Sequence, residues 1–395
     1  MSFKQVLKMP GVPAVLFTQF MVAFGFGIIL PILPFYVTSL GAQPFELGLL
    51  TSTFALLSLI FNPVFGKLSD RVGRKKVMLL GITGFFLSYA VFALSDSLWM
   101  AFLARAIEGM AAGAVFPSAI SLLSDLTTEK QRGRAMGLFS MMFSMGFMLG
   151  PAVGGVAASV SVQMAFVVAA GLTLLNFASV YFQLKEPHEK AESKDIAAQE
   201  VSLLQRLKSP LLFLFLSAFM ITFMIGGIDA TLALYTADQM GFTSAQVGIV
   251  FAYIGLMIFI MQFVAGGLVN RFGELELIRA GLLLSGAGFF LLQFSTDWPH
   301  LFLALTVFVA GNALVFPSVT SLLTKKVTAR RGAVLGLAGS FNSLGQIVGP
   351  LLAGVLYTLH PVWAFWGQAA VIWAYFLVFS LIAVPVLSKP AASTN

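Results

Sequence analysis

The tetrapeptide Val115-Phe116-Pro117-Ser118 returns as Val315-Phe316-Pro317-Ser318, and the same offset of 200 residues relates Gly41 to Gly241, Gly48 to Gly248, Gly66 to Gly266 and Gly73 to Gly273. After a slip of one residue the echo continues, with Gly150-Pro151 answered by Gly349-Pro350. A parallel repeat on this scale restricts the chain to folds assembled from two copies of one unit. Because 58% of the residues are hydrophobic and only 10% are charged, the unit is expected to be a bundle of membrane helices. Two such bundles would face each other across a central path.

Crossing the hydrocarbon core takes roughly 20 apolar residues. Twelve stretches meet that length: 14–38, 45–65, 77–95, 98–121, 135–158, 164–184, 210–236, 244–268, 277–296, 299–322, 332–357 and 363–387. The first is too long for a secretion signal and lacks a small-residue cleavage site, so it counts as span one. The expected fold is therefore all-α and integral to the membrane. Residues 1–184 form one six-helix bundle, 185–209 a cytoplasmic linker, and 210–395 a pseudo-symmetric second bundle. Within the linker, the spacing of Val201, Leu204 and Leu207 suggests a short surface helix on the inner leaflet.

Short loops rich in Lys and Arg remain in the cytoplasm. Every Lys and Arg except Arg105 falls on one side of this map, from Lys4 and Lys8 through Lys67–Lys76 and Lys130–Arg134 to Lys325–Arg331 and Lys389. Both termini are thus expected in the cytoplasm of a multi-pass cell-membrane protein. The formal charge of +7 reflects this sidedness, because the basic residues are scattered among short loops with no soluble domain to present them to nucleic acid.

Several chemistries are excluded by what is missing. The chain has no cysteine, which removes disulfides and thiolate sites. His188, His300 and His360 lie in loops without ligand spacing, and Gly25-Phe26-Gly27 lies inside an apolar helix and is no dinucleotide fingerprint. No G-x-x-x-x-G-K-[ST] loop is present, so the energy source is expected to be a gradient, with no cofactor, metal or enzymatic activity. A membrane sensor would need a signalling domain, and neither the linker nor the tail after Leu387 can supply one.

Arg105, Glu108 and Asp229 are the charges within the spans, where an ionisable group is costly unless paired or functional. Arg105 and Glu108 are three residues apart, share a helix face and can pair. Two readings stay open for Glu108, a static ion pair and a proton carrier. Asp229 has no basic neighbour within a helical turn. It is expected to exchange protons, the alternative being an aspartate hydrated near the outer surface.

The motifs carry a family resemblance. Gly66–Lys76 (GKLSDRVGRKK) resembles the signature loop of the major facilitator superfamily, and Arg105–Gly109 (RAIEG) the span-four motif of its proton-coupled members. Gly146–Gly155 (GFMLGPAVGG) is similar to its antiporter motif, and Gly27–Pro34 (GIILPILP) to the span-one motif of the twelve-helix drug:proton antiporters. In the loop, Gly66 and Gly73 allow close approach and a tight turn, while Asp70 can face the positive N-terminus of span eleven near Gly332 as a conformational latch. Arg71 and Arg74 belong to the same latch, and with Lys75 and Lys76 are expected to anchor headgroups or fix topology. The second-half loop reads Gly266–Gly273 (GGLVNRFG), with Asn270 replacing the acid. Gly146, Gly150 and Gly154, with Pro151 and Gly155, give span five a smooth face for another helix.

The resemblance implies proton-driven export, by alternating access, of small hydrophobic or cationic compounds by a protein embedded in lipid and acting as a monomer. It also implies a carboxylate at the span-seven position of Asp229; the span-ten acid of many relatives is absent, and Asn312 is the nearest polar residue. Candidate wall residues are Phe24, Phe35, Met110, Phe116, Met224, Tyr235, Phe308, Asn312 and Phe316, whose aromatic and thioether groups suit lipophilic cations. Packing or lipid contact would account equally well for most of them. A narrower transporter of one metabolite, such as a sugar, a peptide or a tetracycline-like compound, is the alternative.

Overall fold

The computed structural model describes residues 6, 7, 9–186, 210–327 and 331–388, without the side chains of 266, 270 and 331–333. The Val201, Leu204 and Leu207 segment, all of the linker between Glu186 and Pro210, and Lys4, Lys8 and Lys389 lie outside the described residues. So do residues 328–330 and the side chains of 331–333, the start of span eleven toward which Asp70 was expected to turn.

Lipid offers no hydrogen-bond partners, so each apolar segment must satisfy its own peptide groups, which a helix does within the segment. Span one runs through Val12–Ile29 and Leu33–Ser39. Spans two to six are Pro44–Val72, Arg74–Leu94, Leu98–Asp125, Glu129–Val160 and Val162–Gln183. Spans seven to ten are Leu212–Met240, Ser244–Phe272, Glu274–Leu292 and Trp298–Lys326, followed by span eleven, Arg331–Leu359. Span twelve covers Pro361–Leu387. Eleven of these helices are long and apolar enough to cross a membrane. The twelfth, span eleven, has 29 residues and is diluted by Asn342, Ser343 and Gln346. The protein is a multi-pass, all-α membrane protein, as its composition requires.

Proline shapes two spans. Pro31 and Pro34 cannot donate to the carbonyls of Gly27 and Leu30, and span one breaks between Ile29 and Leu33. In span twelve, Pro385 cannot donate to Leu381, and a π turn, Phe379–Ala383, precedes it. The repeat also fixes the loop turns. Gly41 and Gly241 have φ of 84° and 66°, and Gly73 and Gly273 have φ of 119° and 79°, which L side chains adopt only under strain.

Two compact units are present. The first comprises Met1–Lys194 with Ala233–Phe259, the second Asp195–Leu232 with Ile260–Asn395. This grouping by proximity differs from the sequence division at the linker. In the first unit, the beginning of span eight packs on span five: a Cβ at Gly248 would lie 2.5 Å from the Pro151 carbonyl oxygen, and one at Gly255 would lie 2.6 Å from Met148 Cα.

The glycines of the antiporter-like motif pack against span one. A Cβ at Gly146, Gly150 or Gly154 would collide with the carbonyl oxygens of Phe20, Phe24 and Ile28 in turn. Gly155 points elsewhere, toward Ser244, Ala245 and Gly248. In the second unit, Gly345 and Gly349 meet the carbonyls of Phe219 and Phe223 in the same way. Helices with small residues at the interface gain dispersion by close approach, an essential term where lipid competes for apolar surface.

Opposite outcomes are expected for two alanine substitutions. Gly150→Ala should destabilise the protein by about 1–3 kcal/mol, because neither backbone can yield easily. Gly171→Ala, where nothing lies within 4 Å of the added carbon, should be neutral or stabilise by up to about 1 kcal/mol. Thermal unfolding of the detergent-solubilised variants measures both, and equal effects would contradict the packing assigned to span five.

Candidate proton-coupling site

Span four carries a deeply buried pair of charges. Arg105 Nη1 donates to Glu108 Oε2 across 2.7 Å, and the two side chains are 1% and 0% exposed. One helical turn separates them, so the pairing follows from local sequence. Tertiary packing then encloses it. The guanidinium carbon lies 6.0 Å from the Phe26 ring centre and 5.6 Å from that of Phe54, contributed by spans one and two. Span two approaches closely because Gly109 faces the Phe54 carbonyl and Gly113 faces Phe61. On the other side, Ser88 of span three donates to the Ala104 carbonyl across 2.8 Å. Two atoms of the pair, Arg105 Nε and Glu108 Oε1, have no hydrogen-bond partner. Glu108 therefore retains an oxygen able to take a proton without first breaking its bond to Arg105.

Asp229 lies in span seven and is only 8% exposed. Its surroundings are set by the preceding glycines. A Cβ at Gly226 would lie 2.7 Å from Pro350 Cδ of span eleven, and the Gln368 carboxamide of span twelve occupies the space beside Gly227. The segment around this acid is consequently wedged into the second unit. Asn312 donates to the Ile221 carbonyl across 3.2 Å and ties span ten to span seven.

The loop after span two is built into the protein to a greater extent than its charge suggested. Arg74 is 15% exposed, pairs with Asp125 and, at 3.5 Å, with Asp70, and donates to the Ser121 carbonyl across 2.7 Å. Lys75 Nζ donates to the Tyr181 carbonyl across 2.8 Å. Arg74 thus finds acceptors on the end of span four and Lys75 on the end of span six. Gly66 and Arg71 stay at the end of span two, and Gly73 forms the turn itself.

An ion pair that the sequence reading missed occupies the corresponding place in the other half. Glu274 pairs with Lys325 and accepts from Ser321 across 2.7 Å. These positions are the offset copies of Arg74, Asp125 and Ser121, with the charges exchanged. Applying the repeat offset to charged residues, as well as to glycine and proline, would have revealed it.

The candidate wall residues divide by burial. Phe24, Phe35, Met110, Phe116 and Asn312 are half-buried, and Phe316 is 55% exposed. Met224 and Tyr235 are buried. Phe308 is a correction: it is enclosed between spans nine and ten, its ring edge-on to Phe289 with centres 5.1 Å apart, and serves packing.

Removing one member of the buried pair should be more harmful than removing both. Glu108→Gln leaves the Arg105 charge uncompensated and is expected to cost about 3–5 kcal/mol, whereas Arg105→Met combined with Glu108→Met should lie closer to wild type. Unfolding in detergent distinguishes these outcomes. At the loop, Arg74→Asp should lose about 1 kcal/mol, and adding Asp125→Arg should recover most of it, reproducing the charge order of the second half. The same unfolding measurement on the single and double variants checks that recovery.

Comparison with known proteins agrees with this architecture. The family described as Major Facilitator Superfamily matches residues 15–280 and 214–395. The tetracycline resistance protein, class B, of Escherichia coli is 31% identical over 389 residues, 94% of each chain. Multidrug resistance protein 1 of Bacillus subtilis (strain 168) is 30% identical over 355 residues, 89% of this chain and 91% of that one. The crystal structure of the human organic anion transporter MFSD10 (TETRAN) superimposes with a TM-score of 0.68 at 26% identity, covering 93% of this chain and 98% of that one. With helices, repeat and motifs in place, the chain belongs to the Major Facilitator Superfamily.

Proposed function

We propose that this protein exports hydrophobic, often cationic drugs across the bacterial cell membrane in exchange for protons, by alternating access and as a monomer. Both termini lie in the cytoplasm, the proton gradient takes the place of a cofactor, and the chain performs no enzymatic reaction. Relatives of nearly full length named for multidrug and tetracycline resistance support the drug-export reading. Proton coupling rests on one observation: the carboxylates Glu108 and Asp229 are 0% and 8% exposed within apolar helices. A carboxylate so placed is tolerated when paired or when its ionisation is used.

Of the two, Asp229 is assigned the coupling role, as the family resemblance at its span-seven position implies. Competition at one carboxylate between a proton and a cationic drug makes exchange obligatory. A proton entering down 100 mV releases about 2.3 kcal/mol, and each pH unit adds about 1.4 kcal/mol. For a monovalent cation exchanged with one proton the voltage term cancels, leaving the pH gradient to drive accumulation.

The relative named for tetracycline alone favours a second reading, a narrow exporter. Proton-driven uptake of a labelled lipophilic cation, a quinolone and a tetracycline into inverted vesicles separates the two. The broad reading expects all three to accumulate and the collapse of the gradient to abolish uptake. Asp229→Asn should reduce uphill uptake at least tenfold while sparing downhill exchange; full uphill uptake by this variant would remove Asp229 from the mechanism.

A further inference from the structure

Span eleven carries a polar side chain with no part in proton coupling. Gly345 brings this span against span seven, where an added Cβ would meet the Phe219 carbonyl oxygen and the Thr222 hydroxyl. The same Thr222 hydroxyl donates to the carbonyl of Asn342, one turn earlier on span eleven, and so fixes that residue's backbone between the two helices. The side chain of Asn342 is left over. Its Oδ1 is buried and has no hydrogen-bond partner, whereas the large majority of buried side-chain acceptors are paired.

Asn342 lines a cavity of about 180 Å³ between spans seven, ten and eleven, walled also by Ile221, Phe316, Leu323, Leu335 and Ala338. Phe316 is 55% exposed and Leu335 39%, so the cavity is not sealed. Gly339 contributes to the wall, and a Cβ there would meet nothing within 4 Å. Thr320, a second polar lining residue, gives its hydroxyl proton to the Phe316 carbonyl across 3.0 Å, which leaves its lone pairs to accept. Among the described residues, no charged side chain lines the cavity. Apolar walls, an exposed aromatic ring and acceptors in want of a donor suit an uncharged ring system that bears an N–H or O–H group. Whole drug-sized ligands fill roughly 300–1,000 Å³, so the cavity takes one portion of such a molecule. It is also displaced from the coupling acid: Ile221 precedes Asp229 by eight residues on span seven, about 12 Å along the helix toward the linker.

We propose that this cavity is a recognition subsite for the exported compound, in which the Asn342 amide oxygen accepts a hydrogen bond from an N–H or O–H group of the compound while Phe316 packs on its ring. A site that presents a buried acceptor discriminates strongly against an analogue lacking the donor, because the acceptor then stays unpaired. Asn342 is thereby a specificity-determining residue, separate from the carboxylates that handle protons. On the export reading above, on which this subsite rests, the linker end of span seven is cytoplasmic. A compound arriving from that side is held here before it reaches the level of Asp229.

Asn342→Leu replaces the amide by an apolar group of similar shape, and Gly339→Leu keeps the amide but fills the cavity. Two probes separate the chemistry: tetracycline, which bears N–H and O–H donors, and tetraphenylphosphonium, which bears none. Equilibrium binding to the detergent-solubilised protein and initial uptake into inverted vesicles are measured for both. Asn342→Leu should raise the Kd and KM for tetracycline at least fivefold, with the maximal rate and all values for tetraphenylphosphonium within twofold of wild type. Gly339→Leu should weaken tetracycline binding by at least as much. Wild-type tetracycline affinity in Asn342→Leu would overturn the subsite and leave the cavity to water, and an equal loss for tetraphenylphosphonium would overturn it by marking Asn342 as structural. Absence of saturable tetracycline binding to the wild-type protein would do the same. Uptake that ignores collapse of the proton gradient would instead sink the antiport reading, while the binding measurements still decide the subsite.

Discussion

Close approach of helix backbones through glycine is the constraint on which the other features depend. Apolar surface alone cannot hold helices together in lipid, because the hydrocarbon solvates them equally well. The first unit resolves this by stacking Gly146, Gly150 and Gly154 over three successive carbonyls of span one, and the second by placing Gly345 and Gly349 over the corresponding carbonyls of span seven. The third position of the second unit is Ala353, fully buried. The same device at Gly109 and Gly113 brings span two against span four, and this approach places Phe54 over Arg105. Without it the buried pair would lack one of its aromatic walls.

Duplication preserved geometry more faithfully than chemistry. Positive φ recurs at Gly41 and Gly241 and at Gly73 and Gly273, because a turn of that shape admits few other residues. The ion pair beside the second of these turns recurs with its signs exchanged, Arg74–Asp125 in one half and Glu274–Lys325 in the other. Attraction is indifferent to which helix carries which charge, so selection for a clamp leaves the order free. In the membrane interior the halves have diverged further: the repeat offset pairs Arg105 with Leu305 and Glu108 with Phe308. That replacement explains why Phe308 packs against Phe289 in a place where the first half keeps an ion pair.

The proposed function draws on this asymmetry. One half encloses Glu108 against Arg105, and the other holds Asp229 close behind Gly226 and Gly227, so the two carboxylates sit on different elements of one scaffold. A pair of acids with distinct environments can divide the tasks of holding a proton and meeting a cation.

Much of this was legible in the residues alone. Span number followed from apolar length, the turn at Gly73 from glycine, and the Arg105–Glu108 pair from a spacing of three on one helix, whereas several helices run up to seven residues past their apolar limits and Pro31 and Pro34 divide a span expected to be continuous. These properties are local, set by peptide hydrogen bonding and by neighbours within a turn, and therefore readable from sequence. Tertiary structure decided which helix meets each glycine face, that Arg74 turns to Asp125 at the end of span four, that Phe308 packs inward, and that Asn342 shares a cavity with residues of spans seven and ten. Those outcomes depend on partners distant in the chain, and a sequence pattern that marks a face as small or polar does not specify what will be packed against it.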